Sequence, residues 1–499
     1  MTPSCILLRE STDAATFEAA VWGGVFNLRR DTSRVPAAVC RARTTADVVA
    51  GVELARARGW RVSIRSGGHS WAAWSVRQDA VLLDLGQLHV DHHDTTGNIK
   101  GPGPGWIDYD EATGIVSCPP ATTGQTLNGV LAAKGRMFAG GHCPDVGLGG
   151  FLLQGGMGWN CKNWGWACEA VAAIDAVTAD GEVVHCCESD MDMDIMDSDG
   201  TGPGTKAGDL FWAARGAGPG FPAVVTRFHL RTRPLLQLFH SVYVYPLAAF
   251  RAVLAWAIEA APTADPDTEM VCVSSYSPGA TVPTVLAHFT TFKPSLAAAK
   301  RALSPLDGHA ARPPGATVAV FCQPTSLAAQ YADQAAANPG PATHRYCSDN
   351  AYIRAGDDDD RTVVPAILER AFTTLPSRQS CALWFSMNPT SRRPGRACDA
   401  ALSMQSDHYF ALYAVWEHER DDAAHVGWVH DTLRAVEPHA VGSYLGDADF
   451  RHRTPKFWTD ECAARLRDVR RAWDPDGRVC GFLGQGDRSG VDGLPVANN

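Results

Sequence analysis

A chain of 499 residues, 45% hydrophobic and 20% charged, can hold two or three domains around a large core, and its composition excludes disordered and fibrous classes. The net charge of −10 argues against a nucleic-acid partner, which demands a basic surface. No apolar run reaches the roughly 18 residues of a membrane span, and residues 1–10 show no secretory leader, so a cytoplasmic protein is expected with no membrane partner.

In chain order, Ala37–Arg41 reads as a short strand and Thr45 as the cap of a helix over 46–58, with Val48, Val49, Val52 and Ala55 on its apolar positions. Arg61–Arg65 alternates as a strand and runs into Gly67-Gly68, and Val81–Leu85 is a further buried strand. Residues 92–108, with Gly-Pro-Gly-Pro-Gly at 101–105, read as an inserted loop. A helix over 124–135 stopped by Gly135, a glycine-rich stretch at 140–158, a strand over 170–178 and a turn at 179–181 follow. The aspartate-rich run 188–199 lacks the ligand spacing of a calcium loop and reads as a solvated surface loop. Residues 209–220 lead into a strand over 223–230.

After Pro234 the character changes. Strand-like runs at 239–245, 270–275, 286–292, 381–387 and 409–415 alternate with alanine-rich helical stretches, and a helix over 460–473 closes the pattern. This is α+β organisation, helices on one face of an antiparallel sheet. Fifteen cysteines, odd in number and without a Cys-x-x-Cys pair, read as reduced and buried rather than as disulfides or a zinc site. Seventeen histidines show no metal-ligand spacing, so no metal is expected.

Two segments carry the chemistry: Arg65-Ser66-Gly67-Gly68-His69-Ser70, and Gly140-Gly141-His142-Cys143-Pro144-Asp145-Val146-Gly147-Leu148-Gly149-Gly150. Their glycines let the backbone approach a ligand, and successive N–H groups in such turns suit a pyrophosphate. Neither segment matches the dinucleotide fingerprint or the triphosphate loop. Taken singly, each is a set of tight turns; together they offer an imidazole and a thiol.

In this order the segments resemble the berberine bridge enzyme-like branch of the vanillyl-alcohol oxidase flavoprotein family. Gly155-Gly-Met-Gly158, Trp164-Gly165, Asp209 to Gly216, Val415-Trp416, Tyr444-Leu-Gly-Asp447 and Trp473-Asp-Pro475 follow in the family's sequence. The resemblance implies a two-part FAD-binding domain, residues 1–235 and 441–499, and a substrate domain, 236–440, with an antiparallel sheet covered by helices. It implies FAD bonded through its 8α carbon to His69 and through C6 to Cys143. Arg65, Ser66, Gly67, Gly68, Ser70, Gly141, His142, Val146, Gly147, Gly149, Gly150, Gly155, Gly158 and Gly165 are expected around the cofactor.

The implied reaction passes hydride from an alcohol, hemiacetal or amine carbon of a carbohydrate or secondary metabolite to flavin N5, and dioxygen returns as hydrogen peroxide. Val146 stands where the family controls oxygen access, and a small residue there implies an oxidase. Tyr409, Ala411 and Tyr413 share one face of a strand, and Tyr409 falls near a position where relatives carry a catalytic glutamate. With an ordinary pKa near 10, it needs a positive neighbour or a hydrogen bond to act as a base. Tyr444 is expected to contact flavin or substrate. Two departures from the family pattern stand out: Asp145 replaces a common threonine, and Val441 replaces the first tyrosine of the late motif. That missing tyrosine leaves open a flavoprotein that sequesters an aromatic compound without turnover.

Overall fold

The computed structural model describes residues 3–88, 106–192, 203–277, 279–340, 342–354, 356, 360–392, 399–449, 453 and 455–481. Most of the expected insertion at 92–108 and residues 193–199 of the acidic run lie outside them. The described end of that insertion is a strand, Asp108–Asp110, and the acidic run opens with one helical turn, Ser189–Asp192, where loops were expected.

Three larger sheets organise the chain. In the first, the order is Ile6–Leu8, Ala38–Arg41, Ala80–Asp84, Arg61–Arg65, and the last three strands run parallel. Ala38, Val39, Cys40 and Val81 to Leu83 are fully buried, as parallel strands covered on both faces must be. The helix Thr45–Arg58 lays Val48, Val52 and Ala55 on this sheet. Its cap is Thr44, one residue earlier than the sequence suggests, because the Thr44 hydroxyl accepts from Asp47 N while the Asp47 carboxylate accepts from Thr44 N.

The second sheet is antiparallel, in the order Asp108–Asp110, Ile115–Cys118, Ala223–Arg231, Val171–Thr178, Val183–Cys187. The helices Pro203–Ala213 and Asp460–Trp473 pack on it; Leu466 and Val469 share a core with Leu210, Trp212 and Phe228. The C-terminal helix therefore folds back onto the N-terminal half. The helix expected over 124–135 ends at Ala132, and Gly135 closes the following turn at φ +65°.

The third sheet has eight strands, in the order Val318–Thr325, Gln237–Pro246, Thr284–Lys293, Thr268–Ser275, Cys381–Ser386, His408–Trp416, Arg345–Ile353, Ala440–Gly442, all paired antiparallel. Helices Phe250–Ala260, Leu296–Asp307, Asp360–Thr373 and Asp422–Val436 cover one face, burying Trp256, Ala287, Trp384, Phe410 and Leu433. Arg345–Ile353 escapes sequence reading because Ser348, Asp349 and Asn350, all buried, interrupt its apolar pattern. Tertiary bonds satisfy them: Arg453 Nε donates to Asp349, and the Asn350 amide brackets the Tyr444 backbone. The described cysteines are in the thiol form, not paired as disulfides. Among the described residues no helix is long and apolar enough to cross a membrane.

Candidate flavin and substrate site

The Arg61–Arg65 strand ends in the first glycine segment, and the second segment closes directly against it. A Cβ on Gly67 would stand 2.8 Å from Gly147 N, and one on Gly149 would stand 2.7 Å from Ser66 Oγ. Only glycines let these two loops touch. Gly68 is tighter still: it sits at φ +71°, and a Cβ there would fall 1.7 Å from Gly24 O. Gly68→Ala is therefore expected to cost more than the roughly 1–2 kcal/mol of handedness alone and to lower flavin content. Gly129→Ala, in the helix Gly124–Ala132 with nothing within 4 Å of the new methyl, lowers neither stability nor flavin content; melting curves and flavin absorbance compare the pair.

This contact brings His69 and Cys143 both within electrostatic reach of Asp145. His69 stacks on Phe26 at 4.6 Å, and its Nε2 lies 3.4 Å from Asp145 Oδ2. Burial holds the imidazole below its ordinary pKa, against the opposing pull of Asp145, so the ring is neutral near pH 7 and keeps a lone pair. Cys143 is half-buried. Burial pushes its thiol up to about 12, and the carboxylates of Asp145 and Asp447 add to the effect. Asp145, the departure from the family pattern, thus stands between the two attachment candidates. An imidazole and a thiol over a glycine cradle is the donor set a doubly bonded flavin needs, so the residues present fit that group.

Opposite these loops stands the helix-free face of the eight-stranded sheet, where Tyr352, Phe385, Tyr409 and Ala411 are buried in a cluster with Cys161, Trp166 and Tyr444. One cross-strand row reads Val242, His288, Val271, Phe385, Tyr409, Tyr352, and the next reads Val244, Leu286, Val273, Leu383, Ala411, Asn350. Tyr409 Oη donates to Asp447 Oδ2 at 2.5 Å. Tyr413 and Trp71 also hydrogen-bond this carboxylate, which lowers its proton affinity, but burial wins and holds Asp447 above the ordinary carboxylate range. Tyr409 itself is pushed well above 10 by burial and by the adjacent negative charge. The sequence asks for a positive neighbour or a hydrogen bond beside Tyr409; the fold supplies a hydrogen bond, to the Asp447 carboxylate. Asp447 was visible only as the end of the Tyr444-Leu-Gly-Asp447 motif.

The remaining expected residues divide. Tyr444 Oη accepts from Gly156 N and Met157 N, both at 3.2 Å, which ties it to their loop, and its ring meets Tyr409 edge-on at 6.1 Å. Gly155 and Gly158 belong to that supporting loop, packing on Leu402 and Ala139. Gly165 ends the turn Cys161–Trp164. The Arg65 guanidinium turns away to Ala20 O, Val21 O and Asp84, so its side chain serves the scaffold. Ser70 Oγ accepts from Trp74 N. Gly141 lies against Phe151, and Val146 is half-buried in the second loop. Val441 packs at the edge of the cluster containing Tyr352, Tyr409 and Tyr444.

Sequence reading missed Glu269. It is 3% exposed, its Oε1 meets His142 Nε2 at 2.9 Å and its Oε2 accepts from Asn160 N at 2.6 Å. The partners lie 127 residues apart, so no local signal joins them.

Residues 36–187 match the family model described as FAD binding domain. The FAD-linked oxidoreductase janO of Penicillium janthinellum is 34% identical over 484 residues, 96% of this chain and 97% of that protein. The chain belongs to the berberine bridge enzyme-like flavoproteins, and it is an FAD-linked oxidoreductase. Two solved members of this family share its fold. The Physcomitrella patens BBE-like 1 structure superposes with a TM-score of 0.74 at 17% identity, covering 99% of this chain and 97% of that one. The carbohydrate oxidase of Microdochium nivale superposes with 0.75 at 19% identity, covering 98% and 97%. In this family setting the α+β architecture and the FAD expectation both hold.

Proposed function

We propose that this FAD-linked oxidoreductase is an oxidase that carries its flavin on His69 and Cys143 and oxidises an alcohol, hemiacetal or amine carbon of a largely apolar small metabolite. The observation that carries the reading is that His69 and Cys143 both lie within electrostatic reach of Asp145, and Cys143 also of Asp447, the partner of Tyr409. FAD held there supplies a two-electron acceptor for the substrate hydride, and dioxygen takes the electrons on to hydrogen peroxide. Residues 1–235 and 441–499 form the cofactor domain in this reading and 236–440 the substrate domain, which the shared core of Leu210 and Leu466 supports.

The chain's own part is proton handling and orientation. Tyr409 Oη takes the proton of the substrate hydroxyl or amine while its own proton passes to Asp447 Oδ2. The phenol thereby never carries a charge beside the carboxylate, and the net base is Asp447. Val242, Val271, Val273, Leu286 and Leu383 are half-buried on the helix-free face, an apolar floor suited to hydrocarbon or aromatic surface and poor in partners for sugar hydroxyls. Oxygen uptake during a substrate screen tests the reading, with apolar alcohols or amines expected to outperform oligosaccharides. Flavin spectral shifts without oxygen consumption or peroxide would instead identify a sequestering protein. Val146→Ile is expected to slow flavin reoxidation by dioxygen and leave flavin reduction unchanged, as stopped-flow absorbance in the two half-reactions would show.

A further inference from the structure

The solvent-side face of the five-stranded sheet carries a cluster that the flavin chemistry does not use. Ile174, Ala176, Cys186 and Phe228 are buried in the core on one face of this sheet, so the alternating residues turn to the other. There His185 lies directly opposite Asp175 on the neighbouring strand, and His229 lies opposite Ser117. A register shift between Val225 and Arg227 slides the Ala223–Arg231 strand along Val171–Thr178. That shift brings His229 within reach of Asp175 as well.

His185 Nδ1 is 2.6 Å from Asp175 Oδ1, and His229 Nε2 is 3.1 Å from Asp175 Oδ2. One ligand atom from each of the three residues lies within 4.8 Å of the others. A first-row metal with bonds near 2.0–2.2 Å holds such atoms roughly 3–3.6 Å apart, so side-chain rotation alone closes the set. We infer that Asp175, His185 and His229 form a binding site for a divalent transition metal of the zinc type.

The surroundings specify the class of ion. His229 Nδ1 sits 2.7 Å from Ser117 Oγ. A hydroxyl can accept as well as donate, so Ser117 can hold the tautomer with Nδ1–H and leave the Nε2 lone pair free for a metal. Two imidazoles and one carboxylate suit zinc, cobalt, nickel or copper. Arg227, whose charge acts on Asp175 and Asp108, works against hard cations held by charge alone, and calcium or magnesium would need more oxygen ligands than are present. Three protein ligands leave coordination open to water, and the His185 side chain, 57% exposed, puts that opening at the surface. A bound ion ties the outermost strand, Val183–Cys187, to the next two strands of the sheet and so stabilises the folded state.

The test uses tag-free full-length flavoprotein, stripped with chelator and titrated with zinc by calorimetry and with cobalt by visible absorbance. The expected result is saturation at one ion per chain with a rise in melting temperature. His185→Ala and His229→Gln each abolish the binding, and Ser117→Ala weakens it roughly tenfold or more. Failure of the parent protein to saturate would overturn the site. So would saturation that survives both histidine replacements, or a cobalt spectrum carrying a thiolate charge-transfer band, because cysteine would then be the ligand.

Discussion

Flavin is expected to remain with the polypeptide when the purified yellow protein is denatured in acid. The His69 imidazole and the Cys143 thiol both lie within electrostatic reach of Asp145, and in the proposed reading each bonds the same ring. His69→Ala alone and Cys143→Ala alone each leave one link, and flavin still precipitates with the chain. The double replacement releases it. The two single variants should also differ from each other. His69 is held neutral by burial and needs no deprotonation to act as a nucleophile, whereas Cys143, at about 12, must lose a proton first. Attachment through cysteine alone in His69→Ala should therefore accelerate as pH rises from 7 to 9, while attachment through histidine in Cys143→Ala changes little. Free flavin in the supernatant of the unmodified protein defeats the double-tether reading.

The second large effect falls on flavin reduction. General-base catalysis is worth about 10²–10⁴ in rate, and the proposed reading gives that role to the Tyr409–Asp447 relay. Tyr409→Phe and Asp447→Asn should each slow reduction by substrate by that order while leaving flavin content near that of the parent. The pH profile separates a catalytic relay from a structural pair. Asp447 must be ionised to receive the proton, and burial raises its folded pKa above the ordinary 3.9. The rate is therefore full above that raised value and lost as pH falls through it. Tyr413→Phe removes a hydrogen bond that favours the ionised form, so the acid limb should move to higher pH with the plateau rate retained. Unchanged reduction kinetics in Tyr409→Phe, measured by stopped flow, would remove the relay from the mechanism.

Within the part of the chain that matches the FAD binding domain, the sequence by itself marks two glycine segments as candidate flavin loops. His69 and Cys143 each sit among glycines in one short segment, and chemistry whose parts adjoin along the chain is readable without a fold. It also determined most strands of the large sheet, because runs such as 239–245 and 409–415 are apolar enough to announce themselves. The Arg345–Ile353 strand was hidden, since its buried Ser348, Asp349 and Asn350 are tolerable only with partners such as Arg453 and the Tyr444 backbone. Only the tertiary structure decided what the tyrosines do. Tyr409 reaches Asp447 across 38 residues and His142 reaches Glu269 across 127. Those pairings follow from antiparallel register and loop closure, which set contacts at separations where local sequence carries no distance information. The same holds for Asp175, His185 and His229, which come from three strands and meet on one face through direct pairing of His185 with Asp175 and a register shift in the strand of His229.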